Sequence, residues 1–487
     1  MGILNEEMLT GHGNQKGRRD AAAIMNAGFE AGNPSRNIKR LVRIADGKLY
    51  IGCKDFEPVG DPQSGEEVLD LAKIDHIYVV GAGKGSVYVA RALEEALGSY
   101  LTGGEIIGKY GDPLLTEKIH VTLGGHPLPD ENCVEGCKRI YELSRHVTQR
   151  DVVFTIAANG VSSLLTWPAE GITLEQVREV TRILQIEKGV ITEELNLFRN
   201  HVDRMKGGRI ARYFSKARLI NVIPDDLTIK VSPGCVKTYD ELMKENIWLH
   251  TLPEGSTFAQ AIEMLKFHEV WDTLPENVRQ YLLNAPASEE TVKYDEYKNF
   301  RFRVFGILPV KQTVFPAVFE KARELGYTPM MMCEAMRAEA KDVGKTYALI
   351  GLNIERLQQP VKPPAALFSM GEMIVTCDKD PGVGGRNQEF AVAAAQNLAG
   401  SKKVVIASAD TDGTDGPGGF SMEGAPECLS GAMIDGYTAE EAEKAGLDLR
   451  IAMRKHATSE ALWRIGCGLV KEQNVGLTDL TCMLIME

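Results

Sequence analysis

The run IDHIYVV (74–80), rich in β-branched residues, stops at the glycine-rich GAGKGS (81–86), and VYVARALEEALG (87–98) follows with its apolar residues at helical spacing. This is a strand, a tight loop and a helix in immediate succession. A helix placed there carries the chain back along the sheet, so the next strand runs parallel to the first. Similar apolar runs recur at IHVTLGG (119–125), DVVFTIAANG (151–160) and ARLINVIP (217–224), separated by segments of helical spacing such as LEQVREVTRILQIEKG (174–189). The alternation predicts an α/β domain on a mostly parallel, Rossmann-like sheet.

A chain of 487 residues exceeds one ordinary core. Between about 236 and 300 it turns charged and aromatic, with no β-run and with Pro253, Pro275 and Pro286 as punctuation, and it reads as a helical connector. A second α/β series begins at FRVFGILP (302–309), continues through TYALIGL (346–352) and AALFSMGEMIVTCD (365–378), and includes KKVVIASADTDG (402–413). The expected division is therefore an N-terminal α/β domain, 1–295, carrying the connector 236–300, and a smaller C-terminal α/β domain, 296–487.

The formal charge of -12 argues against nucleic acid or an acidic membrane surface as partner, since both need a basic face to displace counterions. An anionic ligand must therefore meet a local basic site. No run of about 18 apolar residues appears, so no membrane span is expected, and the N-terminus has no apolar signal region. The nine cysteines include no CxxC pair. Cys133 and Cys137 have no second pair to complete a zinc site, and reduced thiols in a cytoplasmic protein are expected.

Several loops carry the residue types of phosphate chemistry. GAGKGS offers backbone N–H groups at a helix start, glycines 81 and 83 for close approach, and the charge of Lys84. Its spacing is not that of a Walker A loop, and Ser86 stands where a dinucleotide fingerprint needs its third glycine. ANGVSSLL (158–165) places Gly160, Ser162 and Ser163 at the carboxyl edge of the same sheet, where open α/β sheets bind ligands. ELNLFRNHVDRMKGGRIA (194–211) gathers Arg199, Arg204, Lys206 and Arg209; its His201 reads as a structural imidazole. In the second series GVGGRNQEF (382–390) presents Arg386 after three glycines, a guanidinium fork suited to a phosphoryl group. ADTDGTDGPGG (409–419) supplies Asp410, Asp412 and Asp415 without the pattern of an EF-hand, and suits a Mg²⁺-nucleotide site, which needs one or two carboxylates.

Taken in order, VVGAGKGSVYVARALEEALG, GGHPLPDEN, LNLFRNHVDRMKGGRIA, GGRNQEFAVAAA, ADTDGTDGPGG and GAMIDGYTAEEAEKAGLD resemble the glycerate 2-kinase family, whose second domain is called MOFRL. The resemblance spans roughly residues 17 to 485. It implies an ATP- and Mg²⁺-dependent kinase of the 2-hydroxyl of glycerate or a related hydroxy acid, active in a cleft between the two domains. Because the candidate residues come from both halves, the domains are expected to close on each other; a homodimer is one of the assemblies the sequence leaves open. It places Lys84, Asp226, Arg386 and Asp412 at catalytic positions, with Asp226 (or Asp225) as the base. Ligand contacts fall to Gly81, Gly83, Gly160, Ser162, Asn196 and Arg199, and to Lys206, Arg209, Glu372, Gly385 and Asn387, with Asp412 and Asp415 for the metal.

The chain departs from the family pattern in three loops. The family's SGGGSALL is ANGVSSLL, so Asn159 and Val161 replace glycines and are expected to reshape the substrate pocket. The acidic PDDLTIKVSPGC (224–235) loses a carboxylate, and EQNVGLTDL (472–480) is a contracted form of TGPTGTN. A rival reading, an NAD(P)-dependent hydroxypyruvate reductase, needs an acid near Glu105 to hold the ribose, and a third has the altered loops binding a ligand without turnover.

Overall fold

The computed structural model describes residues 2–227, 238–377 and 380–487. Its strands, numbered along the chain, fall into three sheets. β1 (Val42–Ala45), β2 (Lys48–Ile51) and β3 (Glu67–Asp70) make a small antiparallel sheet. β4 (Ile77–Ala82), β5 (Gly103–Lys109), β6 (Ile119–Gly124), β7 (Val152–Ala157), β8 (Arg218–Ile223) and β9 (Arg301–Gly306) make a six-stranded sheet in the order β6-β5-β4-β7-β8-β9. Every neighbouring pair in it is parallel. This is the doubly wound order, in which winding reverses between β4 and β7. The crevice at the carboxyl ends of those two strands is where such sheets take ligands. The two loops that leave them are GAGKGS and ANGVSS.

β10 (Thr328–Met336), β11 (Ala365–Gly371), β12 (Val404–Asp410), β13 (Gly431–Asp435), β14 (Gly468–Leu469) and β15 (Asp479–Ile485) form the third sheet, ordered β10-β11-β15-β12-β13-β14. Only β10 and β11 pair in parallel. Its three central strands are buried along their whole length. Helix Arg386–Leu398 lies among buried residues of the same core, and it crosses helix Ala340–Leu357 so closely that a methyl group on Gly344 would lie 2.2 Å from the carbonyl oxygen of Phe390. Among the described residues no helix is long and apolar enough to cross a membrane.

The described residues divide into two compact units, one of 37–227 and 238–308, the other of 2–36, 309–377 and 380–487. This differs from the expected division, 1–295 and 296–487, at both ends. Residues 2–36 belong to the second unit. There Gly17 and Gly28 of helix Gln15–Ala31 bring its backbone against Val405 and Leu480, and Arg18 is buried against Asp435 at 2.6 Å. FRVFGILP supplies β9 of the first sheet, because an apolar β-branched run does not say which sheet it joins. TYALIGL is helical. Buried Tyr347, Ala348, Gly351 and Ile354 recur at helical spacing, a period that a seven-residue window hides. The stretch 174–189 is helix only to Arg182 and continues as a π-type turn, Ile183–Glu187. The connector contributes helices Tyr239–Glu245, Phe258–Phe267 and Glu276–Asn284 to the first unit. The eight described cysteines are unpaired; Cys235 lies outside the described residues.

Candidate functional site

In the first unit the loops after β4 and β7 are tied together, the Lys84 N–H donating to the Asn159 carbonyl at 2.6 Å. Gly160 has φ +76, and a methyl group there would lie 2.8 Å from the His126 ring and 3.2 Å from Cγ of Lys84, so both side chains converge on it. Partial burial, reinforced by the charges of Lys84, Lys109 and Arg199, holds His126 down at about 4. Glycines 81 and 83 have a packing role as well. Methyl groups on them would lie 2.1 Å from the Ile156 carbonyl and 2.6 Å from Ala158, so they permit the contact between β4 and β7.

Ser162 Oγ lies 2.8 Å from Nε2 of His250, a fully buried imidazole pushed well below its ordinary range by burial and then by Lys206, Arg199 and Arg209. It is therefore neutral. Nδ1 of His250 has no partner among the described residues, and in a field of three cations the bare lone pair belongs there, which leaves Nε2–H to donate to Ser162. The serine proton is then free to bind an anion.

Arg199, on helix Thr192–His201, is 8% exposed, and burial lowers it to about 10. Among the described residues its polar partner is neutral, Nη2 donating to Gln185 Oε1 at 3.4 Å, from the π-type turn. Three residues earlier, neither amide atom of buried Asn196 has a partner among the described residues. A buried guanidinium with no carboxylate and an amide with no partner among the described residues are groups that a small hydroxy acid would complete.

Lys206 and Arg209, expected among the ligand contacts, are structural. Lys206 is paired with Asp203 and Thr166 at 2.8 and 2.7 Å, and Arg209 donates to the carbonyls of Asn200, Lys206 and Glu289. His201 bonds Leu197 and Glu290, as a structural imidazole does. Val161 points into the core formed with Val80 and Leu164 and does not narrow a pocket. Asp226 follows β8, is 4% exposed, and donates its N–H to Asp225 Oδ1. The rest of that loop, 228–235, lies outside the described residues. Glu105 stands inside β5 and accepts from His120 and Thr122 at 2.8 Å, so it is committed within the sheet and not offered to a ribose.

The second unit has the opposite imbalance. Arg386 at the start of its helix donates from Nε to both oxygens of Asp479 at 2.9 Å and from Nη2 to Asp410 at 2.6 Å, with Glu372 3.4 Å from Nη1. Three carboxylates surround one guanidinium, so the fork expected to wait for a phosphoryl group is largely engaged. Asp410 and Asp479 are buried, and both are raised above the usual carboxylate range, by burial first; for Asp410 the charges of Asp412 and Asp479 add to it. Asp412 accepts from the N–H and hydroxyl of Thr414 on Oδ1, while Oδ2 has no partner among the described residues. Lys471, 4% exposed, is drawn down to about 8 by burial despite the nearby Asp412 and Asp410.

Asp415, expected as a metal ligand, is the helix cap instead. Its oxygens accept the N–H groups of Asn387 and Gln388 at 3.1 and 3.0 Å. Burial, then Asp479, raises it to about 6. Gly385 is required by that cap, since a methyl group on it would lie 2.2 Å from the Asp415 carbonyl oxygen. Asn387 spans Asp415, Asp479 and Ser408. The contracted loop 472–480 packs on the acidic one, Asn474 N–H to Asp412 O at 2.9 Å and Thr411 N–H to Thr478 O at 3.1 Å.

At the acidic cluster no three ligand atoms converge within 4.8 Å; among the described residues only His12, Glu441 and Cys467 do so. Arg18 donates into that triad, to His12 and Cys467, which makes it an ion-pair network. The donors near Arg386 still fit Mg²⁺, an ion that keeps waters and phosphate oxygens and takes only one or two carboxylates from a protein.

Sequence reasoning passed over His126, Gln185, His250 and Asp479. Asp479 left a signal, an acid opening the otherwise apolar strand DLTCMLI; His250, in IWLHTLP, left none.

Two family models match the chain: "Domain of unknown function (DUF4147)" over residues 20–231 and "MOFRL family" over 365–478. A "Glycerate 2-kinase" of Pyrococcus horikoshii is 28% identical over 448 residues, covering 91% of each chain. A "Putative hydroxypyruvate reductase" of Agrobacterium vitis is 30% identical over 383 residues, 78% of this chain and 91% of that one. The crystal structure of a glycerate kinase from Thermotoga maritima superposes with a TM-score of 0.74 at 27% identity, covering 96% of this chain and 99% of that one.

Proposed function

The chain belongs to the glycerate 2-kinase family, and on that footing we propose that it transfers the γ-phosphoryl group of ATP, with Mg²⁺, to the 2-hydroxyl of glycerate or a close hydroxy acid. It is a phosphotransferase with an alcohol acceptor and binds a nucleotide and a small acid. The observation that carries the finer reading is the pair of opposite charge imbalances: Arg199 buried without a counter-charge among the described residues, and three carboxylates crowded on Arg386. A carboxylate substrate relieves the first and a divalent cation the second.

In this reading Arg199 and Asn196 bind the carboxylate and Ser162, held by His250, donates to the same acid. Asp226 accepts the proton of the 2-hydroxyl. Lys84 and Arg386 neutralise charge on the equatorial phosphoryl oxygens, and Asp410 and Asp479 fix the guanidinium. Asp412, with its spare oxygen, would hold Mg²⁺, which supplies charge neutralisation at the β- and γ-phosphates. The test is a panel of small hydroxy acids with Mg·ATP, read as ADP release. Release dependent on glycerate or a near relative is expected; ATP-independent reduction of hydroxypyruvate by NAD(P)H would overturn the reading.

A further inference from the structure

The second unit contains a cavity that opens beside Arg386, with Glu372 and Gly385 at that end, and extends well past them. Its volume is about 580 Å³, within the range of small-molecule sites and far more than a three-carbon acid fills. Met373, Ile374, Val375, Pro381 and Pro417 give it an apolar wall, and Arg337 joins Arg386 in its lining. Glu389 and His456 also line it, joined Oε1 to Nδ1 at 2.6 Å, the carboxylate being only 2% exposed.

The backbone that presents His456 is unusual. His456 follows helix Leu449–Arg454 with φ +52, a left-handed conformation that costs a non-glycine residue about 1 kcal/mol and that glycine usually fills at a helix end. The loop from Pro381 closes against this segment. Methyl groups on Gly382 and Gly384 would lie 2.9 and 2.8 Å from the carbonyl oxygens of Lys455 and His456. An imidazole is thus kept where glycine would be easier, bonded to a buried carboxylate at the wall of a cavity.

We propose that this cavity is the nucleotide site, with the base on the apolar wall, the ribose hydroxyls on the Glu389–His456 pair, and the phosphates toward Arg337 and Arg386. The assignment rests on the kinase reading. A carboxylate accepts hydrogen bonds and repels phosphate, so Glu389 belongs with the hydroxyl donors of the sugar. The two guanidinium groups are the complement of a polyphosphate. The nucleotide then belongs to the second unit and the hydroxy acid to the basic site around Arg199 in the first.

The experiment measures KM for ATP and for the hydroxy acid, and the midpoint shift on adding Mg·ADP, in the full chain and two variants. His456→Asn keeps a side chain that tolerates the left-handed backbone. Ile374→Ala trims a side chain that is already 46% exposed, so folding is not at risk. Each should raise KM for ATP roughly five- to tenfold and reduce the Mg·ADP shift, leaving KM for the acid within about twofold. If both variants bind Mg·ADP and ATP as the wild type does, or if KM for the acid rises instead, the nucleotide lies elsewhere and this assignment fails while the kinase reading stands. A wild type that releases no ADP and shows no Mg·ADP shift defeats the kinase reading itself.

Discussion

Replacing Arg199 by Met should make the protein more stable and a worse enzyme at once. Burial draws the guanidinium down to about 10, which corresponds to about 3 kcal/mol by which the folded state disfavours the charge. Because the folded value is depressed in a base, the penalty is constant below about 10 and disappears only as pH rises through 10 toward the ordinary arginine range. Methionine fills similar volume without a charge, and loss of the Gln185 contact offsets part of the gain, so about 1–2 kcal/mol of stabilisation is expected, equal at pH 6 and pH 9. The same change removes a charge-assisted bond to the substrate carboxylate, worth about 1.5–3 kcal/mol, which is a 10- to 150-fold rise in KM for the acid. Thermal unfolding without ligands and steady-state kinetics read both quantities. A variant that is less stable and has unchanged KM would show Arg199 to be a structural cation and remove it from the site.

Four further outcomes follow from the same geometry. Lys84→Ala and Arg386→Ala should each lower kcat by about two or more orders of magnitude while the chain still unfolds cooperatively, since each removes charge that matters most in the transition state; near wild-type turnover removes that residue from the mechanism. Asp412→Asn should raise the Mg²⁺ concentration needed for half-maximal rate, at roughly unchanged KM for the acid, and an unchanged Mg²⁺ titration would place the ion elsewhere. Asn159→Gly should shift kcat/KM between glycerate and bulkier hydroxy acids, whereas Val161→Gly should cost about 2 kcal/mol or more of stability without changing that preference, because Val161 is a core residue. Asp415, raised to about 6, binds its proton more tightly when folded. Its contribution to stability is therefore complete below pH 4 and lost as pH rises toward 6, a slope that Asp415→Asn should flatten in pH-dependent unfolding.

The first sheet was legible in the sequence because each parallel strand is buried on both faces and reads as a bounded β-branched run. Its glycine loops, Lys84 and Gly160 were legible for the same reason: loops follow strands, and in a doubly wound sheet the carboxyl-edge loops at the reversal face one crevice. What the sequence hid is pairing across distance. Arg386 looks like an open fork until Asp479, 93 positions later, enters beside it, and Asp415 looks like a metal ligand until the helix it caps is built. Gly81 and Gly83 match a phosphate loop by type, and they answer to the β4–β7 contact as well. The membership of residues 2–36 in the second unit is likewise set by Arg18 meeting Asp435, a contact without local signature.

The central claim, phosphorylation of a 2-hydroxyl, is tested most directly by the phosphorus NMR spectrum of the product formed from glycerate, Mg·ATP and the purified full chain. Phosphate on the secondary hydroxyl couples to a single proton and gives a doublet, and that is the predicted spectrum, growing in step with ADP. A triplet, from phosphate on the CH₂ oxygen, or free inorganic phosphate alone, would contradict the account.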